Sequence, residues 1–470
     1  MAMPSGTPAS KSTAAAKAAV QTLQDLSAKE LAQRMFERRA IEAVIWGMPA
    51  VNFELMYQAM VRETKGSFNQ IVYWSRLPDW KNQTLTPNAD VIYLMPFFDT
   101  KDGPVVMEIP PADEGVINGT IMDSWQTPLE DVGPAGADKG KGGKYLIVPP
   151  DYRSKLPAGY IVLASSTHQG YALLRSILKS GSDADIAKAV SYGQRVKLYL
   201  LTQAAKPPET TFRDAADVVY DATIPYDWRF FQALDRFVER ELWLTRDKAM
   251  IDPLKSIGVD KGKPFNPDDL LKLALNDAAA EARAVLDMKY ETLFPPYFEN
   301  GRWSLPALTD YLDSAPTAYA DPDVYPIDNR GIFFSFAFFT AKHLGQGQFY
   351  LMTIKDKDGE AFHGGDTYRL IVPPNVPVNQ YWSATAYDRT THALIRGLSR
   401  SSRSSQSPGL LKNADGSVEI YFAPKAPAGK ETNWVPTSAS GIFEVLFRFY
   451  GPEQPLFDKT WVLPDIEKLK

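Results

Sequence analysis

The sequence contains no cysteine. This absence excludes disulfides, thiolate nucleophiles, zinc–thiolate sites and iron–sulfur clusters. Histidine is scarce too, since the 470 residues include only His168, His343, His363 and His392. Because these four are not clustered in sequence, we expect no tight zinc site and assign no metal ligands.

A basic surface and long apolar runs are also missing. The formal net charge is −5 and the pI is near 5.6, which argues against nucleic acid as a partner. The longest apolar run, residues 332–341, is too short to cross a bilayer and contains Ser335 and Thr340. We therefore expect no membrane span.

The common catalytic motifs are absent as well. The chain has no GxxxxGK[ST] loop, no GxGxxG after a strand, no GxSxG and no HExxH. The glycine cluster at residues 136–143 leads into a strand rather than a helix, so it predicts a surface loop and not a phosphate site.

The N-terminal segment is rich in Ala, Ser, Thr and Pro, and residues 1–26 are predicted to form a disordered tail. The first 20 residues lack the apolar region of a secretory signal peptide. The segment is compatible with the start of a mature exported chain or with a cytosolic tail. We expect a periplasmic or secreted protein, with a cytoplasmic one as the alternative.

Periodicity predicts an α+β multidomain protein. Two β-sandwich or jelly-roll-like domains are expected, with an N-terminal helical segment and a central helical region. The predicted boundaries are residues 27–68 for N-terminal helices, 69–204 for the first β-domain with trailing helices, 205–347 for the helical region and 348–470 for the second β-domain.

Several local predictions accompany this division. Ser27 and Glu30 form a capping-box pattern at the start of a helix that is expected to break at residues 47–49. Helices are also predicted over residues 171–178, 186–201, 228–246, 270–293 and 332–344, and a flexible surface loop over residues 399–407.

An internal echo predicts a duplication. Residues 144–150 read KYLIVPP and residues 368–374 read YRLIVPP. A β-run that ends in aspartate also recurs, at Asp123 and at Asp388. We therefore expect the two β-domains to share one structure, with Asp123 and Asp388 at equivalent positions.

The segment at residues 86–93 is the main candidate for chemistry. In an extended strand Asn88 and Asp90 share a face, with Tyr93 nearby. The pair is suited to hold a hydroxyl-rich ligand, to bind a hard cation or to position a water. The alternative is a turn of Asx type at the start of a strand, with Asp90 bonding backbone amides. No cofactor is expected, although Ca²⁺ or Mg²⁺ at Asp90 is left open.

Three further regions supply candidate residues. Asp123 with Trp125 resembles a carboxylate beside an aromatic wall, although an Asp that ends a strand is usually a turn residue. Asn433 and Trp434 lie in a stretch rich in aromatic residues. Arg448 interrupts an apolar strand, so it needs either a carboxylate partner or an anionic ligand.

Together these segments resemble a known family. Residues 86–90, 103–106, 381–388, 433–437 and 448–452 are similar to motifs of bacterial proteins that pair domain of unknown function 1254 with domain of unknown function 1214. The family often has Asp-Thr-Leu-Tyr where this chain has Asp-Val-Ile-Tyr at residues 90–93. The resemblance implies a helical part, two β-sandwich domains and frequent export, but no established activity.

We expect a hydrolase-type enzyme that acts on a small molecule in a cleft between the β-domains. Asp90 or Asp123 would be the catalytic base, and Arg448 would hold an anionic group. The alternative is a non-catalytic periplasmic protein that binds a small molecule or glycan, and a homo-oligomer is left open. The substrate-binding residues are predicted to be Asn88, Tyr93, Trp125, Asn433, Trp434 and Arg448.

Overall fold

The computed structural model describes residues 26–343, 345 and 347–469. The predicted tail lies outside these residues apart from Leu26. The described residues form an α+β multidomain protein with eight α-helices and several sheets. None of the helices in this part of the chain is long and apolar enough to cross a membrane.

The N-terminal helix α1 (Ala28–Thr64) is uninterrupted. The predicted capping box is confirmed, because Ser27 Oγ accepts from the Glu30 amide and a Glu30 carboxylate oxygen accepts from the Ser27 amide at 2.7 Å. The predicted break is wrong, since Pro49 lies inside the helix. The residues around Pro49 are buried, so tertiary packing outweighs the one hydrogen bond that proline removes.

Seven further helices lie along the chain, most of them in the central region. They are α2 (Asp183–Gly193), α3 (Trp228–Arg240), α4 (Ile251–Ser256), α5 (Asp269–Thr292), α6 (Thr309–Ser314), α7 (Ile327–Phe336) and α8 (Gln454–Phe457).

The first β unit consists of twelve strands. They are β1 (Gln70–Tyr73), β2 (Asn82–Gln83), β3 (Ile92–Asp99), β4 (Val105–Ile109), β5 (Val116–Asp123), β6 (Pro128–Val132), β7 (Gly143–Val148), β8 (Ile161–Ala164), β9 (Gln169–Ile177), β10 (Lys197–Leu200), β11 (Phe212–Asp214) and β12 (Tyr220–Asp221). The larger sheet has the order β11-β1-β3-β9-β5-β6, the smaller sheet has the order β10-β4-β7-β8, and β12 pairs with β2.

The second β unit consists of nine strands. They are β13 (Gln348–Thr353), β14 (Phe362–His363), β15 (Tyr368–Val372), β16 (Val378–Asp388), β17 (Ser402–Ser404), β18 (Val418–Ala423), β19 (Trp434–Pro436), β20 (Ile442–Pro452) and β21 (Glu467–Lys468). The larger sheet has the order β13-β20-β16-β17, with β14 paired to β20, and the smaller sheet has the order β19-β18-β15-β21.

The two units share one topology, as the internal echo predicted. The order β3-β9-β5-β6 in the first corresponds to β13-β20-β16-β17 in the second, and all these neighbours are antiparallel. The smaller sheets correspond as well, β10-β4-β7-β8 with β21-β15-β18-β19, including a final parallel pair.

The predicted equivalence of Asp123 and Asp388 is confirmed, because they end the corresponding strands β5 and β16. The KYLIVPP echo, however, does not mark equivalent strands. Residues 144–150 include most of β7, whose counterpart is β18, whereas residues 368–374 belong to β15. The two Pro-Pro pairs therefore follow strands that do not correspond in the two units.

Each larger sheet is buried on both faces. One face packs on the smaller sheet of its own unit, as Leu174 and Phe447 do. The other packs against the helical core formed around α1, as Leu173 and Leu446 do. The strands β9 and β20 are consequently buried almost from end to end.

This double burial explains one wrong prediction. Residues 171–178, expected to be helical, belong mostly to β9. A strand buried on both faces has a continuous apolar run without alternation, which periodicity does not distinguish from a buried helix. Similarly, residues 186–201 divide into α2 and the strand β10.

The helix predicted over residues 332–344 ends at Phe336 instead. Asn52 of α1 donates its side-chain amide to the carbonyls of Phe334 and Ala337, both at 2.9 Å, and so satisfies the end of α7. His343, expected to close this helix, lies beyond it with Nδ1 3.1 Å from Asp131 Oδ2.

Glu241 connects the helical region to the first β unit. It follows α3, is buried, and accepts from the amides of His168 at 2.9 Å and Gln169 at 2.7 Å. Burial raises its pKa to about 7 from an ordinary 4.5, although the two amides favour the carboxylate. The folded state therefore binds this proton more tightly than the unfolded chain.

A pH-dependent stability difference is expected from this group. Its contribution is present below pH 4.5 and is lost as the pH rises through 7, a change of up to about 3 kcal/mol. Between about pH 5 and 8, wild type should therefore lose stability relative to Glu241→Gln, which does not titrate, as measured by urea unfolding. Glu281→Gln on the exposed face of α5 is the control. A difference that is constant with pH would contradict the assignment.

Candidate functional site

Asn88 joins the two β units. Its side-chain amide donates to the phenol oxygens of Tyr381 at 2.8 Å and Tyr450 at 2.9 Å, which belong to the second unit. The side-chain oxygen Oδ1 of Asn88 accepts from the backbone N–H of Asp90 at 2.8 Å, and the backbone N–H of Asn88 donates to the Tyr93 phenol oxygen at 2.8 Å. The segment contains an Asx turn, but Asn88 forms it. The Asp90 carboxylate accepts from no backbone amide among the described residues, so the turn predicted at Asp90 is not found.

Arg448 holds the same loop from the other side. It lies on β20, is 2% exposed, and donates to the Thr86 carbonyl at 2.7 Å and to Thr385 Oγ1 at 3.1 Å. Its guanidinium also lies 5.3 Å from the centre of the Tyr350 ring. Among the described residues no carboxylate forms an ion pair with Arg448. The carboxylate partner that the sequence analysis gave as one of two alternatives is therefore not found among them.

Arg175, which the sequence analysis missed, has even fewer partners. It lies on β9, is 3% exposed, and its guanidinium packs 4.4 Å from the centre of the Phe339 ring. Its Nε and Nη1 are buried without a hydrogen-bond partner among the described residues. The signal that would have found it is the one used for Arg448, an arginine inside an apolar run, but this run was interpreted as a helix.

The two arginines occupy equivalent positions. Arg175 pairs with Tyr93 across β9 and β3, and Arg448 pairs with Tyr350 across β20 and β13. The register of the aspartates gives the same equivalence. Asp123 at the end of β5 pairs with Gly170 on β9, five residues before Arg175. Asp388 at the end of β16 pairs with Phe443 on β20, five residues before Arg448. The duplication has thus placed one Tyr–Arg pair in each unit.

Both Tyr–Arg pairs line one cavity of about 80 Å³ between the two units. The helical region closes it with apolar side chains that include Phe336 and Phe339. No Asp, Glu or His is among the described residues that line it. Burial raises the pKa of Tyr93 and of Tyr350, so both phenols remain protonated hydrogen-bond donors.

Asp90 lines a different pocket, of about 260 Å³, where the two units meet at the surface. Ser401, Ser402 and Ser404 line it too. These residues were predicted to form a flexible loop, but Ser402 and Ser404 belong to the edge strand β17 and all three are buried. Burial raises the pKa of Asp90, opposed by Ser402, by the charge of Arg448 and by Ser404.

Asp123 has the surroundings of a turn residue. Its Oδ1 accepts from the Thr127 amide at 2.9 Å, and its Oδ2 accepts from Ser166 Oγ at 2.6 Å. Burial raises its pKa as well. Trp125 packs edge-on against Trp46 in the helical core, with ring centres 4.9 Å apart. Neither residue lines either cavity.

Asn433 and Trp434 are not brought to the other candidates. Asn433 bonds the backbone of Leu411 and Glu419, and Trp434 Nε1 donates to the Ala423 carbonyl at 2.8 Å. They lie at the smaller sheet of the second unit, whereas Arg448 faces the helical core. The single cleft predicted for all candidates is therefore replaced by a cavity that unites Tyr93 and Arg448 with Arg175.

The described residues contain no group of three or more His, Asp or Glu side chains arranged for a metal. Beside Asp90, the side-chain oxygen of Asn88 is already occupied by the turn. Ca²⁺ or Mg²⁺ at Asp90 stays a prediction.

Two family models match the chain. Residues 68–199 match "Protein of unknown function (DUF1254)", and residues 347–454 match "Protein of unknown function (DUF1214)". The matches include the strands that carry both Tyr–Arg pairs, and together they cover about half of the chain. No curated protein matches.

Two solved structures are similar. The VPA0106 protein from Vibrio parahaemolyticus is 18% identical, with 93% of this chain and 100% of that chain covered and a TM-score of 0.55, a likeness in fold alone. A putative uncharacterized protein from Burkholderia cenocepacia is 12% identical, with 93% and 94% covered and a TM-score of 0.41. By the two domain matches and their order, the chain belongs to the family in which a DUF1254 domain is followed by a DUF1214 domain.

Proposed function

We propose that the protein binds a small organic anion in the cavity between its two β units. The observation that carries this proposal is Arg175, a buried guanidinium that lines the cavity and has unpartnered N–H groups among the described residues. Arginine stays charged in proteins, so its environment must supply either a counter-charge or a ligand.

The energetics favour a ligand over a purely structural role. An uncompensated buried charge costs roughly 3–5 kcal/mol. The cation–π contact with Phe339 offsets about 0.5–2 kcal/mol of this cost, and the ring provides no hydrogen-bond acceptor. A carboxylate offers both the charge and two acceptor oxygens, which match the planar guanidinium.

The remaining walls define the rest of the ligand. Phe336 and Phe339 provide aromatic surface, and the phenol of Tyr350 is buried without a hydrogen-bond partner among the described residues. A carboxylate on a short apolar body suits such walls and a cavity of about 80 Å³. Since no described acid or histidine lines the cavity, a general base is not evident there, which favours binding over turnover.

Replacement of Arg175 by methionine tests the proposal. Wild type should gain thermal stability from acetate or propionate, because a ligand that binds only the folded state stabilises it. Arg175→Met should lose this response, with affinity reduced roughly 10- to 100-fold. Its melting temperature without ligand should be unchanged or higher, because an unpaired buried charge has been removed.

The control is Arg153→Met, an arginine on the surface of the same unit. A structural arginine would give the reverse pattern, a lower melting temperature with the response to carboxylates retained. That pattern, or a wild type that responds to neither carboxylate, would contradict the proposed function.

A second candidate function, hydrolysis, is supported by Asp90. A buried carboxyl with a raised pKa in a surface pocket is typical of general acids and bases. Its Oδ2 has no hydrogen-bond partner among the described residues. We propose Asp90 as the catalytic group if the chain hydrolyses a small molecule, with Ser402 and Ser404 beside it.

Asp90→Asn tests this second candidate with chromogenic ester, amide and glycoside probes. A general acid or base predicts a rate loss of ~10²–10⁴-fold with little change in melting temperature. The control is Asp277→Asn on the exposed face of α5. A variant that is less stable by ~1–2 kcal/mol but hydrolyses at the wild-type rate would make Asp90 a structural residue.

We also propose that each β unit is a β-sandwich. The support is that side chains from both sheets of a unit form one hydrophobic cluster, Leu94 with Met107 in the first and Phe447 with Leu370 in the second.

A further inference from the structure

We infer that the ligand of the interdomain cavity is a dianion with two separate acidic groups, one for each Tyr–Arg pair. This inference rests on the proposed function and specifies its ligand class. Its basis is the register that repeats Tyr93–Arg175 of the first unit as Tyr350–Arg448 of the second.

The two pairs face the same space because strand side chains alternate. Leu174 and Phe447 point into the cores of their own units, so the neighbouring Arg175 and Arg448 point away from them. Both arginines meet the one cavity, each approaching from its own unit.

The cavity has an excess of positive charge. Two guanidinium groups line it and no carboxylate is among its described lining residues. Like charges repel strongly where water is excluded. A ligand with one charge leaves one guanidinium uncompensated, whereas a ligand with two charges neutralises both.

The alternative counter-charge for Arg448 is Asp90, whose pKa the arginine lowers. Burial raises that pKa more strongly, and Asp90 lines the other pocket. Asp90 is therefore a poor substitute for an acid inside the cavity. The cavity lining includes the aromatic side chains of Phe336 and Phe339, so the ligand's acidic groups are joined by a short apolar body.

Isothermal titration with five anions tests the inference. The probes are propionate, the three dicarboxylates malonate, succinate and glutarate, and methyl phosphate, which are small enough for a cavity of about 80 Å³. At least one dicarboxylate should bind roughly 10- to 100-fold more tightly than propionate, because one more charge-assisted contact is made. Arg175→Met should reduce its affinity to that of propionate, while Arg153→Met should not change it.

The other outcomes separate the two claims. If propionate binds as tightly as every dicarboxylate, the dianion inference is overturned and the proposed function stands. If methyl phosphate binds more tightly than every dicarboxylate, both arginines contact one group, and the assignment of one acid to each pair is overturned. If no probe binds, the proposed function fails, and the inference fails with it.

Discussion

The side-chain amide of Asn88 is the contact on which the arrangement of the two β units depends. It donates to two phenols of the second unit and accepts from the loop that begins β3. Arg448 holds the carbonyl of Thr86 in the same loop. Because these groups are buried, each bond replaces one that water would have made, and loss of either partner leaves a polar group without compensation. The loop thereby places Tyr93 beside the second unit.

Arg175 differs from Arg448 in its hydrogen bonds. Buried polar groups in native proteins are usually paired, and an unpaired one calls for an explanation. Arg448 donates to Thr86 and Thr385, although no carboxylate among the described residues forms an ion pair with it. Arg175 Nε and Nη1 are buried without a hydrogen-bond partner among the described residues, and its guanidinium contacts the rings of Phe339 and Tyr93. A site that binds an anion explains both observations with one ligand.

The duplication shows how sequence similarity and structural equivalence differ. The visible repeat of KYLIVPP joins β7 to β15, which have different places in the sheets. The repeat that lines the cavity is a tyrosine and an arginine on strands far apart in sequence. A strand followed by two prolines arises readily by chance, whereas a shared register over two whole sheets does not. The aspartates at the ends of β5 and β16 were the informative part of the echo.

The amino-acid sequence was sufficient to exclude several chemistries, to identify the family, to locate the start of α1 and most of the strands and helices, and to mark Arg448 as unusual. These depend on composition, local capping and periodicity, all of which are readable within a short segment. It did not identify Arg175, because a run buried on both faces has no period that separates strand from helix. Which residues share a cavity could not be predicted from the sequence, because the pairing of β3 with β9 and of β13 with β20 is non-local. That pairing sets which side chains face the space between the units and which, like Trp434, lie elsewhere.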